Sequence, residues 1–382
     1  MTTPTSEPAA SQPGPAEHAV DGAAGQPGSP REATTSGSGR PGWATPGRVV
    51  LLTVALSLLW PLLQIAAYGS FDALLGVGPQ GPAREQIEAE IPDLQLTSDV
   101  GHDGQQFYVI SRHPFDPTAA EGAVDPLAYR YRRILYPLIG SALAPNGGRL
   151  LIGVFLLQSL VGVALGAWAL TRLPGAPWWL PLSVAFTPGV IAAMGLSLSD
   201  ALAAGLGLLA VALAMERRWW PMLATLAAAA LTRETLLLVA AGLVFTPGMP
   251  TRIRVATAAV PALLFGAWAA WSSNAASASA AKGGADQLAL PFGGWLSPNV
   301  PWGQRGLLLV VFLLLAAGAW RARRIARHIA VTCALGALLL AVISDLVAFN
   351  WVNSMRPIAP MVPLALWALL HEPEPEPEPT LS

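Results

Sequence analysis

The chain has 382 residues, of which 53% are hydrophobic and only 12% are charged, and its formal net charge is −1. Soluble globular domains carry about twice that share of charged residues, so the composition argues against a soluble protein. The absence of a large positive charge excludes a broad electrostatic attraction to nucleic acid.

The two ends of the chain differ in composition from its centre. Residues 1–46 are rich in Pro, Gly, Ser, Ala and Thr and contain no apolar run, which predicts a disordered tail. Residues 371–382 contain the run EPEPEPEP, which predicts a disordered acidic tail of extended polyproline type. A membrane domain is therefore expected between them, over 47–370.

Long blocks of Leu, Ala and Val fill this central part. In lipid, backbone polar groups must be paired within the protein, so blocks of this length and composition predict membrane-spanning helices. The predicted fold class is all-α, a polytopic transmembrane helical bundle. About ten spans are expected, at 48–68, 149–170, 178–195, 200–215, 219–232, 235–248, 255–271, 306–320, 328–346 and 357–370. For 219–248, the sequence leaves open two half-depth helices or one long span.

The distribution of arginines predicts how the spans are oriented. If the N-terminus is cytoplasmic, the cytoplasmic connections contain Arg48, Arg172, Arg217, Arg218, Arg252, Arg254, Arg321, Arg323, Arg324 and Arg327. The short turns on the other side, 196–199 and 347–349, contain no Lys or Arg. This positive-inside pattern predicts a multi-pass plasma-membrane protein with both termini in the cytoplasm. Two outward loops follow, a large first one at 69–148 and a second at 272–305.

The first outward loop contains the segment GHDGQQFYVISRHPF, in which Asp103 lies between His102 and Gly104. A carboxylate just outside the membrane, in a tight glycine turn, suits a general base or a cation ligand. The alternative is that Asp and Gly only form a turn before an amphipathic helix that begins near Gln105. These residues alone favour the turn.

The same loop continues into YRYRRILYPLIGSAL, residues 129–143. Arg130 and Arg133 are three residues apart and share a face of a helix. They are interpreted either as an interfacial anchor with flanking tyrosines or as an anion site, because guanidinium groups match phosphate oxygens. Arginines on the outward side, where topology does not require them, favour the anion site.

Three further segments place charged groups within or beside apolar runs. In ALTRETLLL, Arg233 and Glu234 point about 100° apart on a helix, so each is expected to have another partner or to border a polar cavity. A structural ion pair and a functional site are equally supported there. In GLSLSDALAAG, helix capping by Ser197, Ser199 or Asp200 is the preferred interpretation.

The last polar segment is NWVNSMRPIAP, in which Asn350, Asn353 and Arg356 recur every third residue. This spacing predicts a polar face at the outward mouth of the last span, and a topological anchor is the alternative for the arginine. The polar groups therefore gather on the outward side. No phosphate-binding loop of a nucleotide-driven pump is present in the sequence.

With these motifs in this order, the sequence resembles bacterial members of the GT-C superfamily, the integral-membrane glycosyltransferases that use polyprenyl-phosphate-linked sugars. The likeness covers most of 47–370 as an arrangement, but as sequence only short stretches: HDGQQFY, YRYRRILYP, SLSDAL, ALTRET and NSMRPIAPMVP. The resemblance implies a bundle of many helices with an extracytoplasmic cavity.

The resemblance also implies roles for individual residues. Asp103 fits the catalytic acidic residue of the first outward loop. The side chains expected to bind substrate are His102, Gln105, Tyr108, Arg130, Arg133, Arg233, Glu234, Asn353 and Arg356. Family members often have a further acidic residue in this loop, but Asp93, Asp99 and Asp116 match no fixed spacing. The metal site is unknown, no cofactor is assigned, and a divalent cation is left open.

The expected partners are the lipid bilayer, a polyprenyl-phosphate-linked sugar and an acceptor that is a glycan, a lipid or a protein. Two other classes remain open: a transporter or flippase for a lipid or small anion, and a non-catalytic membrane scaffold. The classes differ in the placement of the charged groups. Convergence on one cavity favours the enzyme, a continuous path across the membrane favours transport, and scattered positions favour the scaffold.

Overall fold

A computed structural model of the chain describes residues 41–97, 100–276 and 287–371. Within these ranges the regular elements are all helical, with two isolated β-bridges, Val77–Gly101 and Leu288–Ile343. The predicted all-α class is confirmed. The predicted tails lie outside the described residues, except for 41–46 and His371.

The helices follow one another with short connections. The first nine are α1 Pro46–Ser57, α2 Leu59–Tyr68, α3 Arg84–Glu90, α4 Asp103–Arg112, α5 Leu127–Tyr131, α6 Leu135–Leu143, α7 Gly148–Thr171, α8 Ser183–Phe186 and α9 Pro188–Leu196. The others are α10 Asp200–Met215, α11 Trp219–Thr232, α12 Leu237–Leu243, α13 Thr251–Ala275, α14 Gly293–Leu296, α15 Trp302–Ala322, α16 Arg327–Val342, α17 Asp345–Ala348, α18 Trp351–Met355 and α19 Met361–Leu370. Short 3₁₀ segments lie at Phe71–Leu75, Pro117–Ala120, Leu180–Leu182, Glu234–Leu236 and Arg356–Ile358.

Four helical stretches in the described ranges are long and apolar enough to cross a membrane. They are Pro46–Tyr68, Gly148–Thr171, Thr251–Ala275 and Trp302–Ala322. At 1.5 Å per residue they measure roughly 31–38 Å, against a hydrocarbon core of about 30 Å. Their outer faces carry large apolar side chains such as Leu51, 70% exposed, and Leu263, 68% exposed. Lipid is the solvent that suits such a surface.

The other apolar helices are shorter and more interrupted. The span predicted at 178–195 is divided into a 3₁₀ turn, α8 and α9, with Pro188 at the start of α9. Residues 219–248 form two helices, α11 and α12, separated at Arg233, whose backbone is extended. The segment is therefore two helices and not one continuous helix, and the interruption falls at its charged residues.

The centre of the bundle is built on close contact between α7 and α10. Gly162 on α7 and Gly205 on α10 face each other, and a Cβ on Gly205 would overlap the Gly162 carbonyl. Small residues let two helix backbones approach closely, which is the usual way apolar helices pack in lipid. Around this contact lies a core of buried Ala, Leu and Val side chains.

The segment 69–148, the predicted first outward loop and called the first loop below, is folded around a core of its own. Leu74, Ile87, Phe107 and Tyr136 are buried in it, and the Tyr136 ring stacks on Phe155 of α7 at 4.8 Å between centroids. Helix α4 packs against α6, which in turn packs against α7. The first loop therefore supports the residues at the start of α4.

Two ion pairs stabilise the first loop. Asp72 accepts two hydrogen bonds from Arg149 at 2.9 and 2.8 Å. Glu90 accepts one from Arg112 at 2.8 Å and another from the Tyr108 hydroxyl at 2.6 Å. In each pair one carboxylate meets one guanidinium, so the charges balance.

Helix α13 is attached to this loop from the outside of the bundle. The Trp268 indole N–H donates to the Tyr131 carbonyl at 2.6 Å. Only 17% of the most apolar stretch of α13 is buried in the protein, so the helix is largely surrounded by solvent or lipid. The hydrogen bond therefore joins an outer helix directly to the α5 segment that carries the arginines.

The two ends of the bundle carry different sets of charged groups. Helix α10 begins at Asp200 and ends at Met215, about 24 Å away at 1.5 Å per residue. Beyond its C-terminus, Glu216 pairs with Arg172 at 2.7 Å. The charged residues near Asp200 are thus separated from the basic connections by the length of an apolar helix.

Candidate functional site

The charged residues singled out in the sequence lie where helices begin or are interrupted. Asp103 and Asp200 are the first residues of α4 and α10. Arg233 lies between α11 and α12, and Arg356 opens the 3₁₀ turn that follows α18. At such positions a polar side chain can leave the helix surface and reach its neighbours. These helix ends meet at one place in the fold.

Glycines allow α4 to start close to its neighbours. Gly101 has φ +83°, a left-handed conformation that suits glycine, and it turns the chain into α4. A Cβ on Gly104 would meet the carbonyl oxygens of Leu75 and Leu196. The His102 amide donates to the Gly76 carbonyl at 2.8 Å. This packing places the Asp103 carboxylate beside the end of α9.

Asp103 is surrounded by three arginines. Its Oδ1 is 2.6 Å from Arg130 Nη1, and its Oδ2 is 2.8 Å from Arg356 Nη2. Arg133 Nη1 lies farther away, 3.6 Å from Oδ2. Arg133 and Arg356 are nearly inaccessible, with 2% and 5% of their side chains exposed. An anionic group at the position of this carboxylate can therefore accept hydrogen bonds from several guanidinium groups at once.

The protonation of this group follows from its surroundings. Burial alone would raise the pKa of the Asp103 carboxyl, but Arg130, Arg356 and Arg133 together hold that pKa well below its usual range. Asp103 is therefore ionised at neutral pH. Burial lowers the pKa of the neighbouring His102 below 6.5, and this group is neutral at physiological pH.

Asp200 anchors two arginines from behind. Its buried carboxylate accepts from Arg356 Nε at 2.6 Å and also from Arg233 Nη1. The capping prediction for this turn is wrong: Ser199 is the N-cap of α10 but makes no side-chain capping bond, and Ser197 ends α9. The Asp200 carboxylate is needed by the arginines because an unpaired buried guanidinium costs several kcal/mol.

Glu234 anchors a third arginine. Arg133 donates to it through Nη2 at 2.7 Å and through Nε at 3.0 Å, a bidentate pair. Arg133 also donates to the Tyr129 hydroxyl. The prediction that Arg233 and Glu234 pair with other groups, not with each other, is confirmed: Arg233 binds Asp200 and Glu234 binds Arg133.

These residues form a single charged cluster. Its members are Asp103, Asp200, Glu234, Arg130, Arg133, Arg233 and Arg356. Four arginines against three carboxylates leave one positive charge in excess. Asp125 stands nearby at an exposed rim, where solvent screens it. The cluster is therefore electrostatically prepared to take one more negative charge.

A cavity of about 850 Å³ opens onto this cluster. That volume is in the range of small-molecule binding sites. Eight of the ten predicted binding and catalytic residues line it: His102, Asp103, Gln105, Arg130, Arg133, Arg233, Asn353 and Arg356. The predicted polar face of the NWVNSMRPIAP segment is present, since Asn350 also lines the cavity.

Two predicted site residues lie elsewhere. The Tyr108 hydroxyl donates to Glu90 at 2.6 Å and accepts from the Gly148 amide at 2.6 Å, away from the cavity. Tyr108 lies five residues after Asp103 on α4, so the two side chains point about 140° apart around the helix axis. Tyr108 therefore faces the core of the loop. Glu234 lies behind the cavity wall and acts on it through Arg133.

The structure also adds residues that the sequence did not single out. Gln106 and Gln287 line the cavity, and so does Tyr129, whose hydroxyl donates to Gln287 Oε1 at 3.1 Å. Gln106 accepts from the Asp125 amide at 3.3 Å. The helical rotation of α4 would have indicated Gln106, which lies within about 60° of Asp103. For Gln287 no local signal exists, because the Leu288–Ile343 bridge brings it in from a distant loop.

Of the candidate acidic companions of Asp103, the two that lie in the described ranges do not line the cavity. Asp116 accepts hydrogen bonds at the start of the Pro117–Ala120 turn, and Asp93 occupies a left-handed turn. Asp99 lies outside the described residues. Across residues 41–97, 100–276 and 287–371, no group of three or more His, Cys, Asp or Glu side chains is placed to hold a metal ion.

Comparisons of the chain with models of protein families, with curated protein sequences and with solved structures found no match.

Proposed function

We propose that the protein is a membrane glycosyltransferase of the GT-C type, which moves a sugar from a polyprenyl-phosphate donor to an acceptor outside the cytoplasm. In this proposal the chain crosses the plasma membrane about ten times, with both termini in the cytoplasm, and the cavity opens to the outer side. The observation that carries the proposal is the convergence of Asp103, Arg130, Arg133 and Arg356 on one cavity.

The chemistry of this transfer suits the residues in the cavity. The acceptor oxygen forms a bond to the anomeric carbon while the bond from that carbon to the phosphate oxygen breaks. The electron pair leaves with the phosphate, and the acceptor proton passes to the Asp103 carboxylate. The arginines stabilise the negative charge that develops on the leaving phosphate. Attack opposite the leaving group predicts inversion at the anomeric carbon.

The charge of the cluster supports a donor with a single phosphate. A sugar phosphodiester carries one negative charge, which balances the one excess positive charge of the cluster. After transfer, the leaving phosphate approaches two negative charges, while Asp103 has become neutral by taking the proton. The total stays close to zero before and after the reaction, as a poorly hydrated site requires.

The cavity gives less support to transport. Its lining reaches Arg233, and α10 carries no ionisable side chain from Ala201 to Met215. A transporter needs polar groups that continue toward the other face of the membrane. A scaffold would not require seven charged groups to gather beside one cavity with four of them buried, since such burial is costly.

The proposal is tested with the purified full-length protein in lipid, supplied with polyprenyl-phosphate sugars and a range of hydroxyl acceptors. Sugar transfer is expected for the native protein, and Asp103→Asn is expected to lower its rate about 10²–10⁴-fold, the usual contribution of a general base. Glu88→Gln, which alters an exposed pair with Arg84, serves as the matched control. Full transfer by the Asp103→Asn variant would refute the assignment.

The orientation is tested separately in intact cells. A cysteine introduced after Arg84, in the first outward loop, is expected to react with a membrane-impermeant thiol reagent. One introduced between Arg323 and Arg324 is expected to react only after the membrane is opened. Cys333 is buried, so it contributes little background labelling. The reverse labelling pattern would place the cavity on the cytoplasmic side and exclude the proposed topology.

A further inference from the structure

The arrangement around Asp103 resembles a phosphate site that is already filled by a carboxylate. The two carboxylate oxygens lie 2.6 Å from Arg130 and 2.8 Å from Arg356, and Arg133 is 3.6 Å away. A phosphate group offers the same arginines more oxygens and an equal or larger negative charge. The arginines cannot give their full set of hydrogen bonds to Asp103 and to a phosphate at the same time.

The other two carboxylates of the cluster are placed differently. Asp200 binds the Nε of Arg356 at 2.6 Å, and Glu234 binds Arg133 through Nε and Nη2. Both arginines line the cavity, but neither of these two carboxylates does, and they contact other nitrogens of the arginines than Asp103 does. Asp200 and Glu234 can therefore hold these arginines in position while the nitrogens that contact Asp103 change partner.

Arg130 lacks such support within the described ranges. Its contacts there are the Asp103 carboxylate, the Asp125 carbonyl at 3.4 Å and the face of the Tyr129 ring. Its side chain is also the most exposed of the three around Asp103, at 18%. Arg130 is therefore the group that is freest to follow an incoming anion.

We infer that the donor phosphate displaces Asp103 from its arginines, while Asp200 and Glu234 act as positioning residues that keep Arg356 and Arg133 in place. The inference rests on the proposed function and adds an exchange of partners to it. The exchange would also activate Asp103: a carboxylate that loses its guanidinium contacts becomes a stronger base when the donor is bound. Proton abstraction is thereby coupled to the presence of the donor.

The inference predicts that removing the Asp103 charge improves phosphate binding. The probe is geranylgeranyl phosphate, added to the full-length protein in lipid nanodiscs, and the control ligand is geranylgeraniol, which lacks the phosphate. Asp103→Asn is expected to bind the phosphate about tenfold more tightly than the native protein, because a competing carboxylate is gone. Asp200→Asn and Glu234→Gln are expected to bind it about tenfold more weakly, with geranylgeraniol binding unchanged.

An Asp103→Asn variant that melts like the native protein but binds the phosphate equally or more weakly would overturn the inference. If that variant does not fold, Arg130→Gln provides a second test: about tenfold weaker phosphate binding is expected, and unchanged binding overturns the inference. Loss of geranylgeraniol binding in Asp200→Asn or Glu234→Gln would mean that these residues maintain the fold and do not position arginines.

The outcomes separate this inference from the proposed function. Tighter phosphate binding by Asp103→Asn, without sugar transfer by the native protein, would support the exchange and reject the glycosyltransferase. Sugar transfer by the native protein, without tighter binding by the variant, would support the glycosyltransferase and reject the exchange.

Discussion

Two groups of ion pairs lie in and around the first loop, and they are built differently. In Asp72–Arg149 and Glu90–Arg112, each carboxylate has one arginine partner and the charges balance. In the cluster around Asp103, arginines are shared between carboxylates, one positive charge is in excess, and a cavity opens onto the group. The balanced pairs stabilise the loop, whereas the cluster, with its excess positive charge and its cavity, is suited to bind an anion.

The difference shows which feature separates a structural ion pair from a site. Burial does not, because Asp72 is as fully buried as Asp200. The distinguishing features are arginines that are shared between carboxylates and that have access to the cavity. Arg356 and Arg133 each contact two carboxylates, and both line the cavity. If the two groups differ in role, a substitution in the cluster lowers activity, whereas a substitution in a balanced pair lowers stability.

The largest effect is expected for Arg356→Gln, which removes the guanidinium that bridges Asp103 and Asp200. Loss of one preorganised donor to a developing anion usually lowers the rate about 10²–10³-fold, and kcat/KM for sugar transfer is expected to fall by that amount. The rate is measured beside a thermal melt. A variant that keeps native kcat/KM would show that Arg356 does not contribute to sugar transfer.

The next effect is expected for Asp72→Asn, which weakens the bidentate pair with Arg149. The melting temperature is expected to fall by several degrees, because charge-assisted hydrogen bonds to a buried carboxylate are replaced by weaker ones. The kcat/KM of the remaining folded protein is expected to stay native. If Asp72→Asn lowers kcat/KM as much as Arg356→Gln does, the two groups of ion pairs do not differ in role.

A smaller effect is expected for Tyr108→Phe. The substitution removes hydrogen bonds to Glu90 and from the Gly148 amide, and the free energy of unfolding is expected to fall by about 1–2 kcal/mol. Chemical denaturation in detergent measures this change. Because Tyr108 faces away from the cavity, the KM for the donor is expected to be unaffected. A raised KM would indicate that Tyr108 contributes to substrate binding.

The smallest change is expected with pH. The pKa of Asp103 is held below its ordinary 3.8, so its carboxylate stays ionised as pH falls from 8 to 5. The kcat/KM profile, which reports the free protein, is expected to show no loss from Asp103 in this interval. The exchange of arginine partners would raise that pKa in the donor complex. The acid limb of kcat is therefore expected at a higher pH than that of kcat/KM, and coincident limbs would argue against the exchange.

Much of the fold follows from hydropathy and charge. The apolar blocks near 48–68 and 149–170 are helical over nearly the predicted lengths. A long apolar run without charged residues is by itself the sequence signal for such a helix. The interruptions are harder to predict. Residues 178–195 are apolar throughout, and their division into α8 and α9 depends on Pro188 and on packing against α1, α2 and α7.

The site was partly predictable for a similar reason. Asp103, Arg130, Arg133 and Arg356 are ionised groups at one predicted end of the spans, where their burial is costly unless they meet. Asp200 was missed because SLSD before a helix is also a good capping sequence. That ambiguity is resolved only by Arg233 and Arg356, which reach Asp200 from distant parts of the chain.

The hydrogen bond from Trp268 to the Tyr131 carbonyl has a mechanical consequence. Helix α13 has 25 residues, about 38 Å at 1.5 Å per residue, and exceeds a hydrocarbon thickness of about 30 Å. A helix that is too long for its bilayer tilts, and the tilt changes with the length of the lipid chains. Because Tyr131 lies between Arg130 and Arg133, a change in the tilt of α13 would move the segment that carries both arginines.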